Sequence, residues 1–140
     1  MRFYIAYKFL GSDKDKLKST LANITSMIEE NGHESFIFYR DYQKWGKVKT
    51  SEDQIIMKAF TELKKSDVFF AFVENKEKSE GMLLEAGYAK AQNKKIILAI
   101  KKDINLRFLR SISDVIIEFG TLNDLRKKLQ SKLKHFNTHD

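Results

Sequence analysis

Residues 67–73 read Asp-Val-Phe-Phe-Ala-Phe-Val, and residues 95–100 read Lys-Ile-Ile-Leu-Ala-Ile. The apolar run Val68–Val73 is too short for a buried helix and is rich in aromatic and β-branched residues, with polar residues on either side. It reads as a strand covered on both faces, the pattern of a central strand in a parallel sheet. Lys95 to Ile100 repeats that pattern. Between the two, a helix is expected from about Glu80 to Asn93. Strand, helix and strand form a crossover unit, because parallel neighbours cannot be joined by a tight turn.

Working outward extends the alternation in both directions. Residues 2–9, Arg-Phe-Tyr-Ile-Ala-Tyr-Lys-Phe, are expected to form a first strand, ended by a turn at Gly11-Ser12-Asp13. Leu17, Leu21, Ile24 and Ile28 recur at helical spacing, with Ser12 or Asp13 as the cap and Asn31-Gly32 as the stop. Glu34 to Tyr39 reads as a second strand and opens into a polar loop, Arg40 to Lys47. Ile55, Ile56, Ala59, Phe60 and Leu63 mark a second helix that starts near Thr50 or Ser51. After Ile100 come a short helical turn at Phe108 to Ser111, a fifth strand at Asp114 to Glu118, and a closing helix lined by Leu122, Leu125, Leu129 and Leu133. Only Asn137 to Asp140 are expected to fray. The pattern predicts an α/β fold: one domain over residues 1–140, three-layered and Rossmann- or flavodoxin-like, with a five-stranded parallel sheet.

Composition narrows the function. The chain has 140 residues, of which 42% are hydrophobic and 32% charged, the balance of a globular domain rather than a disordered one. It has no cysteine, which excludes disulfides, thiolate metal sites and a cysteine nucleophile. His33, His135 and His139 show no ligand spacing, so no metal site is expected, and no cofactor is called for. The apolar runs are far shorter than the roughly 20 residues of a membrane span, and the chain enters a strand-like run at once, so no membrane or targeting segment is expected and a cytoplasmic location is. A surplus of 26 basic over 19 acidic groups favours anionic partners. The lysines are dispersed over outer helix faces and accompany no nucleic-acid motif, so a small anion is expected as partner rather than nucleic acid.

In an open parallel sheet the ligand crevice lies at the carboxyl ends of the strands. Three loops qualify. The first carries Tyr7, Lys8, Phe9 and Gly11; the second Arg40, Asp41 and Trp45; the third leads into Ser79, Gly81 and Met82. Ser79 can cap the third helix, whose free backbone N–H groups suit an anion. One turn on, Glu85 lies four residues from both Gly81 and Ala89, on a face of small residues that leaves room for a ligand. Spacing alone favours a Glu85 that faces water near the helix start, where an early-turn glutamate suits the helix dipole. Gly81 and Gly87 together cost the helix about 2 kcal/mol in propensity, which calls for a structural or a functional reason.

The run Ser79-Glu80-Gly81-Met82-Leu83-Leu84-Glu85-Ala86-Gly87-Tyr88-Ala89, followed by Asn93-Lys94-Lys95-Ile96-Ile97-Leu98, resembles the nucleoside 2-deoxyribosyltransferase superfamily. Within it, the 2′-deoxynucleoside 5′-phosphate N-hydrolase branch is the nearer match. The resemblance extends over nearly the whole chain, through Phe3-Tyr4-Ile5-Ala6, Lys65-Ser66-Asp67-Val68 and Phe108-Leu109-Arg110. It implies that Glu85 is a nucleophile attacking the anomeric carbon, a role that suits a carboxylate facing an oxocarbenium-like transition state. Serine at position 79, where transferases of the family carry aspartate, implies contact with a 5′-phosphate. The resemblance also implies a homodimer in which a neighbouring subunit completes the site, with Arg107 or Arg110 placed to reach across; either arginine can equally pair with a surface carboxylate.

Two departures from the family pattern shape the expectations. The acidic residue often found eight positions before the match to Asp67 is here Ala59, and the first loop has Tyr7 and Lys8 where the hydrolase branch has small or hydroxyl residues. Lys8 is therefore expected to bind phosphate as a point charge, Asp41 to supply the absent acid, and Trp45 or Tyr7 to stack on the base. Trp45 can also be simple loop packing. The chain is read as cleaving, by hydrolysis or base exchange, the N-glycosidic bond of a nucleoside 5′-monophosphate. The alternative is a non-catalytic nucleotide-binding or sensing module on the same fold, since fold does not fix function.

Overall fold

The computed structural model describes residues 1–136; the expected fraying at Asn137 to Asp140, and with it His139, lies outside the described residues. Five strands, β1 (Arg2–Ala6), β2 (Glu34–Ile37), β3 (Val68–Val73), β4 (Lys95–Lys101) and β5 (Val115–Phe119), alternate with five α-helices. These are α1 (Lys14–Glu29), α2 (Glu52–Lys65), α3 (Glu80–Ala91), α4 (Arg107–Ile112) and α5 (Leu122–Phe136). The strands form one wholly parallel sheet in the order β2-β1-β3-β4-β5, the flavodoxin-like arrangement.

Strand alternation divides the core into two layers. Phe3, Ile5, Phe70 and Phe72 point to the side covered by α1 and α5, whereas Tyr4, Ala6, Phe69 and Ala71 point to the side covered by α2, α3 and α4. All six residues of β3 are buried, as their unbroken apolar run requires. The helix starts are fixed by side chains. Asp13 accepts from the N–H groups of Asp15 and Lys16, Ser51 and Gln54 form a reciprocal capping box, and Ser79 caps α3.

Several boundaries fall short of the sequence expectation. β1 ends at Ala6 rather than residue 9, because sheet pairing stops at Ala6↔Ala71 and the Tyr7 hydroxyl instead accepts the backbone N–H of Tyr39 at 2.8 Å. β2 ends at Ile37 rather than Tyr39. There the chain tightens into a single π-helical turn, Phe38–Tyr42, closed by Gln43 N–H to Phe38 O at 3.1 Å, so the expected loop begins as a helical turn. α3 stops at Ala91 because Asn93 takes a left-handed conformation, φ 59°. β5 begins one residue late, since Asp114 clamps the neighbouring strand: its N–H donates to Ile96 O and its carboxylate accepts Ile96 N–H at 2.8 Å.

Candidate active site

The strand order reverses between β1 and β3: the chain leaves β1 for α1 on one face and β3 for α3 on the other. A cavity opens there, at the carboxyl ends of both strands, lined among others by Tyr7, Lys8, Ser12, Glu77, Ser79 and Met82. The turn between the strands and their helices is forced at Gly11, whose φ is +77° and where an added Cβ would lie 3.3 Å from the Lys8 ammonium.

On the α3 side, the Ser79 hydroxyl accepts the N–H of Met82 at 3.2 Å, which orients the first helical turn toward the cavity. Met82 is buried and Gly81 exposed. One turn later Glu85 is half-buried, and Tyr4 from β1 donates its hydroxyl to the Glu85 Oε2. Tyr4 is held rigidly between Phe36 and Phe69, with ring centroids 5.6 and 6.0 Å away. Burial raises the Glu85 carboxyl from 4.5 to about 7, against the opposing pull of the Tyr4 hydrogen bond. Burial also lifts the Tyr4 hydroxyl well above its ordinary value, and the Glu85 charge adds to this, so Tyr4 remains a protonated donor. A carboxylate poised near neutrality and fixed by a single donor suits nucleophilic work at a carbon that becomes cationic.

On the β1 side, Tyr7 is pushed upward by burial and feels the Glu85 charge, while its oxygen is engaged by Tyr39 N–H. Lys8 donates to the Leu10 carbonyl and pairs with Glu77 at 3.2 Å. Phe9 is half-buried, edge-on to Tyr39 and beneath the Lys14 ammonium, which lies 3.7 Å from its ring centroid.

The second loop is occupied differently. The Asp41 carboxylate accepts Ile37 N–H at 2.9 Å and binds the Arg40 guanidinium at 2.8 and 3.0 Å. Arg40 also donates to Ser35 O at 3.0 Å, and its bonds to Asp41 raise its pKa. Both side chains thus tie the π-helical turn to the end of β2. Trp45 packs edge-on against Tyr39 at 5.3 Å with the Lys18 ammonium 5.1 Å from its ring, in the layer of α1 and α5, opposite the layer that holds Tyr4. Ala59 is buried on the sheet-facing side of α2, in the layer of Tyr4, so this wall of the site carries no carboxylate at that position. Arg110 pairs with Glu118 at 3.0 Å, and Arg107 is exposed.

The structure therefore gathers Tyr7, Lys8, Ser79 and Met82 at one cavity with Glu85 a turn away, and sets Arg40, Asp41 and Trp45 apart on their own partners. Sequence reasoning missed Tyr4, 81 residues distant from Glu85. Strand alternation places Tyr4 on the α3 side, but nothing local pairs the two. Ser12, Glu74 and Glu77 also line the cavity, within the loops Tyr7 to Ser12 and Glu74 to Gly81 that strand position singles out, though nothing in the sequence gives them a role of their own.

Comparison with known proteins adds the lineage. The family model described as nucleoside 2-deoxyribosyltransferase matches residues 3–132. Among solved structures, the chain is similar to the CMP N-glycosidase BcmB of Clostridium botulinum, with 26% identity, coverage of 94% of this chain and 99% of that one, and a TM-score of 0.71. It is similar in fold to BlsM (19% identity, 99% and 94% coverage, TM-score 0.78). The same holds for a 2-deoxyribosyltransferase of the psychrotolerant bacterium Bacillus psychrosaccharolyticus (16%, 95% and 96%, TM-score 0.67). No curated protein matches the chain at a significant level.

Proposed function

The chain belongs to the nucleoside 2-deoxyribosyltransferase family, whose chemistry is cleavage or exchange at an N-glycosidic bond, and from that premise we propose that it acts on a nucleoside 5′-monophosphate with Glu85 as nucleophile. The observation that carries this reading is the Glu85 carboxylate, half-buried, held by Tyr4 and tuned to about 7, one helical turn from the cavity of Lys8 and Ser79. Glu85 attacks the anomeric carbon as the C–N bond breaks, the electron pair leaves on the base nitrogen, and that nitrogen takes up a proton. Water, or a second base, then displaces the carboxylate from the sugar. Lys8 supplies the positive charge that a phosphate at the strand ends needs, and the net charge of +7 favours capture of an anion. Cytidine monophosphate is the first substrate to try, since BcmB is a CMP N-glycosidase.

The test is incubation of the protein and its Glu85→Gln variant with ribo- and deoxyribonucleoside 5′-monophosphates, with free base followed by chromatography. Base release by the unaltered chain and none by the variant is the expected result; equal release by both removes Glu85 from the mechanism. A second reading, a nucleotide-sensing module, is favoured by the buried Ala59 at the position where an acid is usual. Nucleotide binding without base release by either protein is its signature.

The active unit in this proposal is a homodimer. Outward from the sheet, α3 exposes Leu83, Leu84, Gly87 and Ala91, and the half-buried Glu85 is the sole charged residue between Glu80 and Lys90, a helix surface that ordinarily meets another apolar surface. A Cβ at Gly87 would meet nothing within 4 Å, so packing within this chain does not require glycine there. Among the described residues no helix is long and apolar enough to cross a membrane.

A further inference from the structure

Between β3 and α3 the chain runs Glu74-Asn75-Lys76-Glu77-Lys78, all exposed. Asn75 accepts the N–H of Glu77 at 3.1 Å, a turn that directs Glu77 back over the cavity. The Glu77 side chain is 79% exposed, yet its Oε2 lies 3.2 Å from the ammonium of Lys8, whose side chain is only 18% exposed. Glu77 is the carboxylate that pairs with the cavity-lining lysine. The start of α1 brings a second ammonium close by: Lys14 is lowered from its ordinary value by burial and then by the charge of Lys8. Two ammonium groups thus lie near the mouth of the cavity, which Glu74 and Glu77 also line, and of these two carboxylates Glu77 is the one paired with Lys8.

We propose that Glu77 is a specificity-determining residue that acts as a built-in competitor, holding Lys8 until an anionic group of the substrate displaces it. The proposal rests on the reading that Lys8 receives a phosphate. An exposed ion pair of this kind is weak, roughly 0.2–1 kcal/mol, so a phosphate carrying up to two negative charges can exchange with a single carboxylate. A neutral nucleoside does not compete for Lys8 and leaves the pair in place, so Glu77 lowers the affinity for anionic ligands alone and sets how far the site prefers a phosphorylated ligand to a neutral one. Glu77 has solvent to swing into, so its displacement requires no rearrangement of the sheet or of α3.

The experiment is an NMR titration of the full chain, its Glu77→Gln and Lys8→Met variants and the double variant, with inorganic phosphate and, separately, with an unphosphorylated nucleoside. Glu77→Gln is expected to raise phosphate affinity about 1.4- to fivefold, to leave nucleoside binding unchanged, and to have no effect once Lys8 is Met. The phosphate gain contracts as salt is added. Unchanged or weaker phosphate binding by Glu77→Gln overturns the proposal, as does a gain that persists without Lys8 or the absence of phosphate binding in every variant. Base release is measured separately. Cleavage of monophosphates with no effect of Glu77 keeps the glycosidase and sinks the competitor, whereas the Glu77 effect without cleavage does the reverse.

Discussion

Replacing Glu85 by Gln should make the protein more stable at alkaline pH, even as it removes the proposed nucleophile. The folded chain holds the Glu85 proton more tightly than the unfolded chain does, about 7 against 4.5. Between those values the native state binds more protons, so the stability contributed by this group is complete below about pH 4.5 and is lost as pH rises through about 7. A shift of roughly 2.5 pH units at 1.36 kcal/mol each sets an upper bound near 3 kcal/mol, and partial solvent access reduces this to about 1–3 kcal/mol. Gln is neutral, nearly isosteric, and still able to accept the Tyr4 hydroxyl. Urea denaturation of both proteins near pH 8 and near pH 4.5 should show the variant ahead by about 1–3 kcal/mol at the higher pH, a rise in Tm of roughly 4–10 °C, with the gap nearly closed at the lower. A constant gap at the two pH values, or a variant less stable near pH 8, would show that the Glu85 carboxylate is solvated like any surface glutamate.

Tyr4→Phe removes the hydrogen bond that holds Glu85 down; a bond to a charged group is worth about 1.5–3 kcal/mol, so the acid limb of the base-release profile should move up by about 1–2 pH units. A lower plateau with the limb unmoved would assign Tyr4 some other part. Gly87→Ala should stabilise the isolated subunit by about 0.5–1 kcal/mol through helix propensity while weakening self-association in sedimentation, and undiminished association would place the dimer contact elsewhere. Leu84→Glu puts a charge on the same surface and should give monomers at concentrations where the unaltered chain is dimeric.

The fold was legible because its central strands are unmistakable: Val68–Val73 and Ile96–Ile100 have no polar residue to offer a solvent face, and every one of those side chains is buried. Errors came where a side chain from elsewhere takes over the backbone. Nothing near residue 7 announces that its hydroxyl will bind Tyr39 N–H, and nothing near Ile37 distinguishes Asp41 as the acceptor that turns β2 into a π-helix. The site divides in the same way. Ser79 and Lys8 follow from loop position, but spacing left Glu85 free to face water, and only the resemblance favoured chemistry. Its burial depends on Tyr4, a residue whose neighbours on the chain say nothing about α3. Asp41 and Trp45 are expected from their loop at the strand end and from residue type, and both have partners that a sequence does not display.

α3 concentrates these exceptions, and its composition explains why. A surface helix of an α/β domain ordinarily has an apolar stripe and a charged back. α3 instead faces three surroundings: Met82, Ala86 and Ala89 meet the sheet, Gly81 and Glu85 lie toward the site, and Leu84, Gly87 and Ala91 look outward. Two glycines cost this helix about 2 kcal/mol, and neither is required by a neighbouring atom within the chain. The buried Glu85 adds about 1–3 kcal/mol at neutral pH and above. A helix selected only to close the sheet would replace all three residues and gain stability. These penalties fall on one helix beside the cavity at the switch point, as the proposed ligand on one side and the proposed second subunit on the other would require.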